Sequence, residues 1–296
     1  MINLAGLRYR NIFEVRGGPV ARLDTFDFGI EGQRMFRSNV YLRPELLPSR
    51  AKRAVYNQAA GSGVHASPMV ARFMAISESM ERWAYHATVR SSERATYAFD
   101  IDPMSNGMAA FPGLWPAQAR RKAYLEAVER FCMIAWWEGM LPTIIRPTAW
   151  KDVTAAVIWS APGEVVVVLH KQTEDGQHAY GHAAGEDFSS ACRSALIELS
   201  GHECVIRNYR LAKACSVVEA PSCMLEQRSV FFASEDGHEV FLRRIHSRPD
   251  KALPARHLAF DGRIRGPWDK YADVWRVVFH PVTDRYMDPD ETYFLW

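Results

Sequence analysis

No stretch of the chain is apolar for long enough to cross a bilayer, and the N-terminal MINLAGLRYRNIFEVRGG lacks the apolar core of a signal peptide. Cysteine is scarce. The five present (Cys132, Cys192, Cys204, Cys215, Cys223) form no Cys-x-x-Cys pair. An odd number at scattered positions argues against a disulfide framework and against a cysteine-rich zinc site. Neither sign of charge dominates: 36 Lys and Arg face 34 Asp and Glu, a formal net charge of +2. That balance gives no reason to expect nucleic acid or a membrane surface as partner. No low-complexity linker divides the chain, and no Ser-His-Asp order or phosphate-loop signature is present. These absences lead us to expect a soluble protein of a reduced cytoplasm, with 296 residues forming a single domain.

What is present is helical and strand patterning in alternation. The first sixty residues read as short strands and turns, with RGGP punctuating at Gly17 and Gly18 and VARLDTFDFGI in broken alternation. Arg50, Lys52 and Arg53 form a small basic cluster, read as a solvated face. Ser67-Pro68 opens a helix running to about Val89, with serine as cap and proline in the first helical position. Pro116 opens a second, to about Gly139, and Asp187 caps a third, FSSACRSALIELSGHECVI. VTAAVIW and EVVVVLH read as β-rich, as do SVFFAS, EVFLRRI and VWRVVFHPV in the C-terminal third. Strands, helices, strands, helix, strands is the order of an α/β or α+β fold.

Two helices carry the same signature. SESMER holds Glu78, Glu81 and Arg82; LEAVER holds Glu126, Glu129 and Arg130. On a helical wheel each glutamate pair shares one face, about 60° apart. Phe73, Ile76, Met80 and Trp83 form a core stripe opposite the first pair, yet Val70, Ala71, Met74, Ala75 and Tyr85 leave the glutamate side apolar too. Ala119, Ala123, Met133 and Trp137 do the same beside the second pair, so both helices are expected to be buried on two faces. An exposed Glu–Arg pair at i,i+4 is common and contributes only roughly 0.3–0.5 kcal/mol. A carboxylate buried without compensation costs several kcal/mol as an order of magnitude, and four of them at a helix interface suit Mg²⁺ and its phosphate partners. A third, altered copy, ALIELSGH, keeps Glu198 but has Gly201 and His202 where Glu-Arg stood, which suggests three helical walls of one cavity.

These motifs resemble the YcaO family. Its members show a Gly-Lys-Gly turn before a helix ending in Glu-x-x-Glu-Arg, compared here with GSGVHASPMVARFMAISESMER. An Asn-Gly turn precedes a second such helix, compared with SNGMAAFPGLWPAQARRKAYLEAVER, and a later glycine-led segment and helix look like YGHAAGEDFSSACRSALIELSGHE. The resemblance spans roughly residues 55 to 210. It implies an α+β YcaO-like domain with sheets packed against helices that line a central nucleotide cavity. It further implies ATP and Mg²⁺ as cofactors and activation of a peptide backbone amide by phosphorylation. An azoline or a thioamide would follow, in the maturation of a ribosomally made peptide. By position, Glu78, Glu81, Glu126 and Glu129 become candidate metal ligands, and Arg82, Arg130 and Glu198 complete a candidate nucleotide site. A precursor peptide, a companion leader-peptide-binding protein and a homodimer are the implied partners; we expect the companion because the residues before 60 read as too few for a separate leader-binding domain.

The chain also departs from that pattern. Ser62 stands where the family has lysine, and Lys122, Gln118 and Leu114 stand where it has Gln, Glu and Asn. Two extra residues separate the Asn-Gly turn from Glu126, and the phosphate-binding arginine has only Arg207 and Arg210 as distant candidates. The C-terminal DRYMDPDETYFLW lacks the proline-rich ending of azoline-forming members. Lys122 lies four residues before Glu126 and within about 20° of Glu129 on the wheel, so its ammonium could replace part of a magnesium ion's charge. Two further readings therefore stand beside the ATP-using enzyme: a degenerate YcaO-like partner or substrate-binding scaffold, and an ATP-independent enzyme. His178 and His182 are spaced by four in a strand-turn context that argues against a helical zinc pair. Cys132, Cys192 and Cys204 read as small helix residues of the core, not as nucleophiles.

Overall fold

The computed structural model describes residues 4–47, 53–215 and 219–296. Arg50 and Lys52 of the basic cluster lie outside the described residues; Arg53 is exposed and donates to the Asn57 carbonyl at 3.4 Å. In chain order the elements are α1 (Ala5–Arg8), β1 (Val20–Ile30), β2 (Gln33–Leu42), β3 (Gly61–His65), α2 (Pro68–Thr88), β4 (Met108–Phe111) and α3 (Ala117–Trp137). They continue with β5 (Ile144–Pro147), β6 (Thr154–Ala161), β7 (Glu164–Gln172), β8 (His178–Gly185) and α4 (Phe188–Ala214). Then follow α5 (Met224–Phe232), α6 (Glu235–His246), β9 (Leu258–Ile264) and β10 (Asp273–Phe279). The class is α+β, with the described strands in three antiparallel sheets.

The chain separates into two compact units. The first comprises Met1–Ala51, Gln58–Ala127 and His257–His280; the second comprises Lys52–Asn57, Val128–Arg256 and Pro281–Trp296. α3 begins in the first and ends in the second. Unit 1 contains the sheets β1-β2-β3 and β4-β10-β9. The β1–β2 hairpin turns through Glu31 and Gly32, both at positive φ (46° and 76°), between the paired residues Ile30 and Gln33. Two left-handed residues in a two-residue loop match the right-handed twist of the strands, which is why the long hairpin closes there. Val20, Val40, Ile76, Met80, Phe99, Trp268 and Val274 belong to one buried cluster that joins this sheet to α2 and β10.

Unit 2 has a four-stranded meander, β5-β6-β7-β8. Its central run Val166–Leu169 is fully buried, as a continuous apolar strand should be. Asp187 caps α4 as its sequence promises: its carboxylate accepts from the Ser190 N–H at 2.7 Å, and the Ser190 hydroxyl accepts from the Asp187 N–H at 3.1 Å. Ser67 occupies the cap position of α2 without a side-chain cap bond; its own N–H goes to His65 Nδ1 at 2.9 Å.

Two expectations are corrected. SVFFAS and EVFLRRI are not strands but fall in α5 and α6. Ser234 caps α6 by accepting from the Gly237 N–H, Glu235 and Asp236 lie in its first turn, and Arg243, Arg244 and His246 in its last. That charge order suits the helix dipole and outweighs the β-branched and aromatic content. The Gly-Ser-Gly segment is not a turn but strand β3, paired with β2 from Phe36↔His65 to Val40↔Gly61.

Candidate functional site

Each unit fastens a helix to the last strand of its meander in the same way, and the two fastenings lie at a constant offset of 120 residues. A Cβ on Gly61 would lie 2.2 Å from the Ala75 carbonyl oxygen; one on Gly181 would lie 2.1 Å from that of Ala195. Only glycine permits strand and helix backbones to approach so closely. At the next position the strand's N–H meets a helix carboxylate: Ser62 N–H donates to Glu78 Oε2 at 2.9 Å, and His182 N–H to Glu198 Oε2 at 3.3 Å. The alanines at 71, 75, 191 and 195 are buried along these contacts. They are therefore the small residues of a strand–helix seam, and Met74 on α2 remains exposed where burial was expected.

In unit 1, Glu78, Glu81, Arg82 and Glu126 come together electrostatically. Glu81 is buried, at 5% exposure. Burial pushes its carboxyl up to about 7, against the pull of Arg82 and Lys122, with Glu78 pushing it further up. Burial likewise opposes the charge of Arg82, but Glu81, Glu78 and Glu126 more than restore it and raise its pKa. Arg82 also donates to the Ser105 hydroxyl and stands 3.8 Å from Glu78. Lys122 is exposed, and its charge acts on Glu81. Leu114 is exposed as well.

In unit 2, Glu129 is fully engaged. Its Oε1 is 2.7 Å from His182 Nδ1 and its Oε2 accepts from the Ala184 N–H at 3.0 Å. Glu198 flanks the same imidazole, its Oε2 3.7 Å from Nδ1. Burial works against a charge on His182, but the hydrogen bond and charge of Glu129, with Glu198, prevail and raise its pKa to about 9. At neutral pH this is an imidazolium held by carboxylates. Arg130 is buried with its guanidinium 4.5 Å above the Tyr286 ring. Arg210 pairs with Asp175 at 3.0 Å on the surface.

A hard divalent ion needs several carboxylate or carbonyl oxygens turned to it. Here the oxygens of Glu129 point to an imidazole and a backbone amide, and one oxygen of Glu78 to another backbone amide. Among the described residues no group of three or more His, Cys, Asp or Glu is arranged to hold a metal ion. Arg82 and Lys122 in unit 1, and His182 in unit 2, already supply cationic charge. These side chains, as arranged within each unit, do not fit a magnesium ion.

Sequence reading found the acidic positions and missed what holds them. His182 entered only through its spacing from His178; aligning the two glycine-led segments, which sets His182 opposite Ser62, would have marked it as the residue beside a helix carboxylate. His178 is buried on β8 with Nε2 3.0 Å from Glu235. Cys132 and Cys192 are buried, and burial pushes their thiols up to about 12 and about 11. Glu226 gave no sequence signal, yet it is buried and takes the N–H groups of Ala54, Val55 and Tyr56 at 2.9–3.0 Å.

The architecture defined above, antiparallel meanders each closed by a helix on the terminal strand, has a counterpart among solved structures. It is a chain of the E. coli microcin synthetase McbBCD complex, which matches with a TM-score of 0.53 over 87% of this chain and 86% of that one, at 10% identity. At that identity the likeness is one of fold. No family model and no curated protein matches the sequence. No described helix is long and apolar enough to cross a membrane.

Proposed function

We propose that this protein is a YcaO-like partner or substrate-binding scaffold in the maturation of a ribosomally made peptide, working without ATP turnover. The fold shared with a chain of a microcin synthetase complex supports the setting, in which a precursor peptide and companion proteins are the natural partners. The observation that carries the reading is Glu129: both of its oxygens are bound, one by His182 and one by the Ala184 amide. A carboxylate so engaged has to give up a charge-assisted bond before it can take a metal, and such bonds are among the stronger ones in proteins.

ATP- and Mg²⁺-dependent activation of a backbone amide is the second reading. The acidic set around Arg82, with Glu78, Glu81 and Glu126 all acting on it, favours that reading. Calorimetric titration with ATP and MgCl₂, on the wild type and on Glu126→Gln, separates the two. Absence of binding at millimolar nucleotide, with both proteins folded, supports the scaffold. Micromolar, magnesium-dependent binding that disappears in the variant overturns it and establishes the nucleotide-using enzyme instead.

A further inference from the structure

Four imidazoles of unit 2 gather in one aromatic layer beneath α6: His170 on β7, His178 on β8, His202 on α4 and His238 on α6 itself. His178 and His238 lie face to face, ring centroids 3.6 Å apart and planes 6° from parallel. His170 is 6.0 Å from His238 and 5.1 Å from Phe241. The layer continues into the C-terminal residues: Trp296 stacks on His202 at 5.3 Å, and Phe294 packs on Phe241 at 4.9 Å and on Tyr180 at 5.3 Å.

The hydrogen bonds write the neutral form into His202 and suit it at His238, whereas His178 turns its Nε2 to the Glu235 carboxylate at 3.0 Å. His202 Nδ1 accepts from the Tyr180 N–H at 3.2 Å while Nε2 lies 3.2 Å from the Ser229 carbonyl, so one nitrogen is a bare acceptor and the other carries the proton. Tyr180 remains a phenol, since burial raises its pKa, and its O–H is 2.7 Å from His238 Nδ1. His178 Nδ1 is buried with no hydrogen-bond partner among the described residues. Two rings stacked at 3.6 Å also repel if both gain a proton.

From this geometry we infer that the imidazole layer is an acid-sensitive latch, which holds α6 and the C-terminal aromatic residues down when His170, His202 and His238 are neutral and releases them when these three protonate. Charged and titratable groups from several elements face the layer. Glu235 on α6 bonds His178, His246 lies at the end of the same helix, and His182 acts on His202. Lys171 of β7 is occupied by Glu203 of α4 at 2.8 Å. Burial holds His170, His202 and His238 down to about 4, with the neighbouring imidazoles adding to the effect. Their folded values lie below the unfolded one, so the closed state loses stability as pH falls through about 6.5 toward 4.

Hydrogen exchange resolved by peptide, at pH 7.5 and pH 5.0, tests the latch. Expressed as protection factors, opening of residues 235–246 and 290–296 is expected to rise about thirtyfold at pH 5.0 for each histidine released, from the shift between 6.5 and about 4. β6 and β7 should keep their protection at both pH values. In His238→Phe, which keeps an aromatic ring but no titrating nitrogen, the acid response should shrink by about that factor. If that variant does not fold, His170→Phe carries the same expectation. Unchanged protection of α6 at pH 5.0, an undiminished acid response in the variant, or simultaneous loss across β6 and β7 would each overturn the proposal.

Discussion

Replacing Glu129 by glutamine tests the central electrostatic claim most directly. Glutamine keeps the shape and can still accept from the Ala184 N–H, but it removes the charge facing His182 Nδ1 at 2.7 Å. The imidazole is raised from 6.5 to about 9, so the folded protein holds its proton more tightly than the unfolded chain does. That gap corresponds to about 3 kcal/mol of stability, fully present below pH 6.5, falling to about 2 kcal/mol at pH 7.5 and vanishing as pH rises through 9. Glu198 supplies part of it from 3.7 Å, so these are upper figures for Glu129 alone. Urea unfolding of wild type and Glu129→Gln at pH 6.0, 7.5 and 9.5 should show a cost that shrinks steadily with rising pH. Histidine NMR should place the wild-type His182 titration well above 6.5 and move it down in the variant. A cost equal at pH 6.0 and 9.5, or a wild-type His182 titrating below 6.5, would refute the resident imidazolium and with it the observation on which the functional proposal rests.

Other consequences are simpler to check. Glu226→Ala strands three backbone N–H groups that its carboxylate now takes, and should cost about 3 kcal/mol or more in urea unfolding, with Glu226→Gln intermediate. Gly61→Ala and Gly181→Ala each place a methyl against a helix carbonyl and should cost about 1–3 kcal/mol, read from the unfolding midpoint of each variant. Under native conditions, thiol labelling followed by peptide mapping should find Cys215 and Cys223 modified first, while Cys132 reacts only on unfolding.

Much of the fold could be read along the chain wherever local chemistry and packing agree. Pro68 and Asp187 mark helix starts because proline and a side-chain cap act within a turn, and EVVVVLH is a strand because its short apolar run is stable only between covered faces. SVFFAS and EVFLRRI misled because their apolar content belongs to helices whose evidence lies in flanking charge and in the Ser234 cap. The glutamates were found as positions; their partners were not. His182 lies 53 residues from Glu129, and the amides held by Glu226 lie 170 to 172 residues away, so neither pairing leaves a periodic trace. Lys122 stands in between: its charge acts on Glu81 of the neighbouring helix, a relation that spacing along the sequence does not display.

The amide clamps at Ser62–Glu78 and His182–Glu198 bear on how substitutions in such a chain are interpreted. A glutamate that ties a helix to a strand serves the fold whether or not it also faces a ligand. Its presence in a sequence is then no record of metal chemistry, and its removal loosens the seam. Loss of any binding in a Glu78 or Glu198 variant acquires meaning only beside a probe of strand–helix integrity. Substitutions at Lys122 and at the His182 ring are the more telling, because those side chains act on the charge of Glu81 and Glu129 while the clamps themselves are made by the Ser62 and His182 backbone amides.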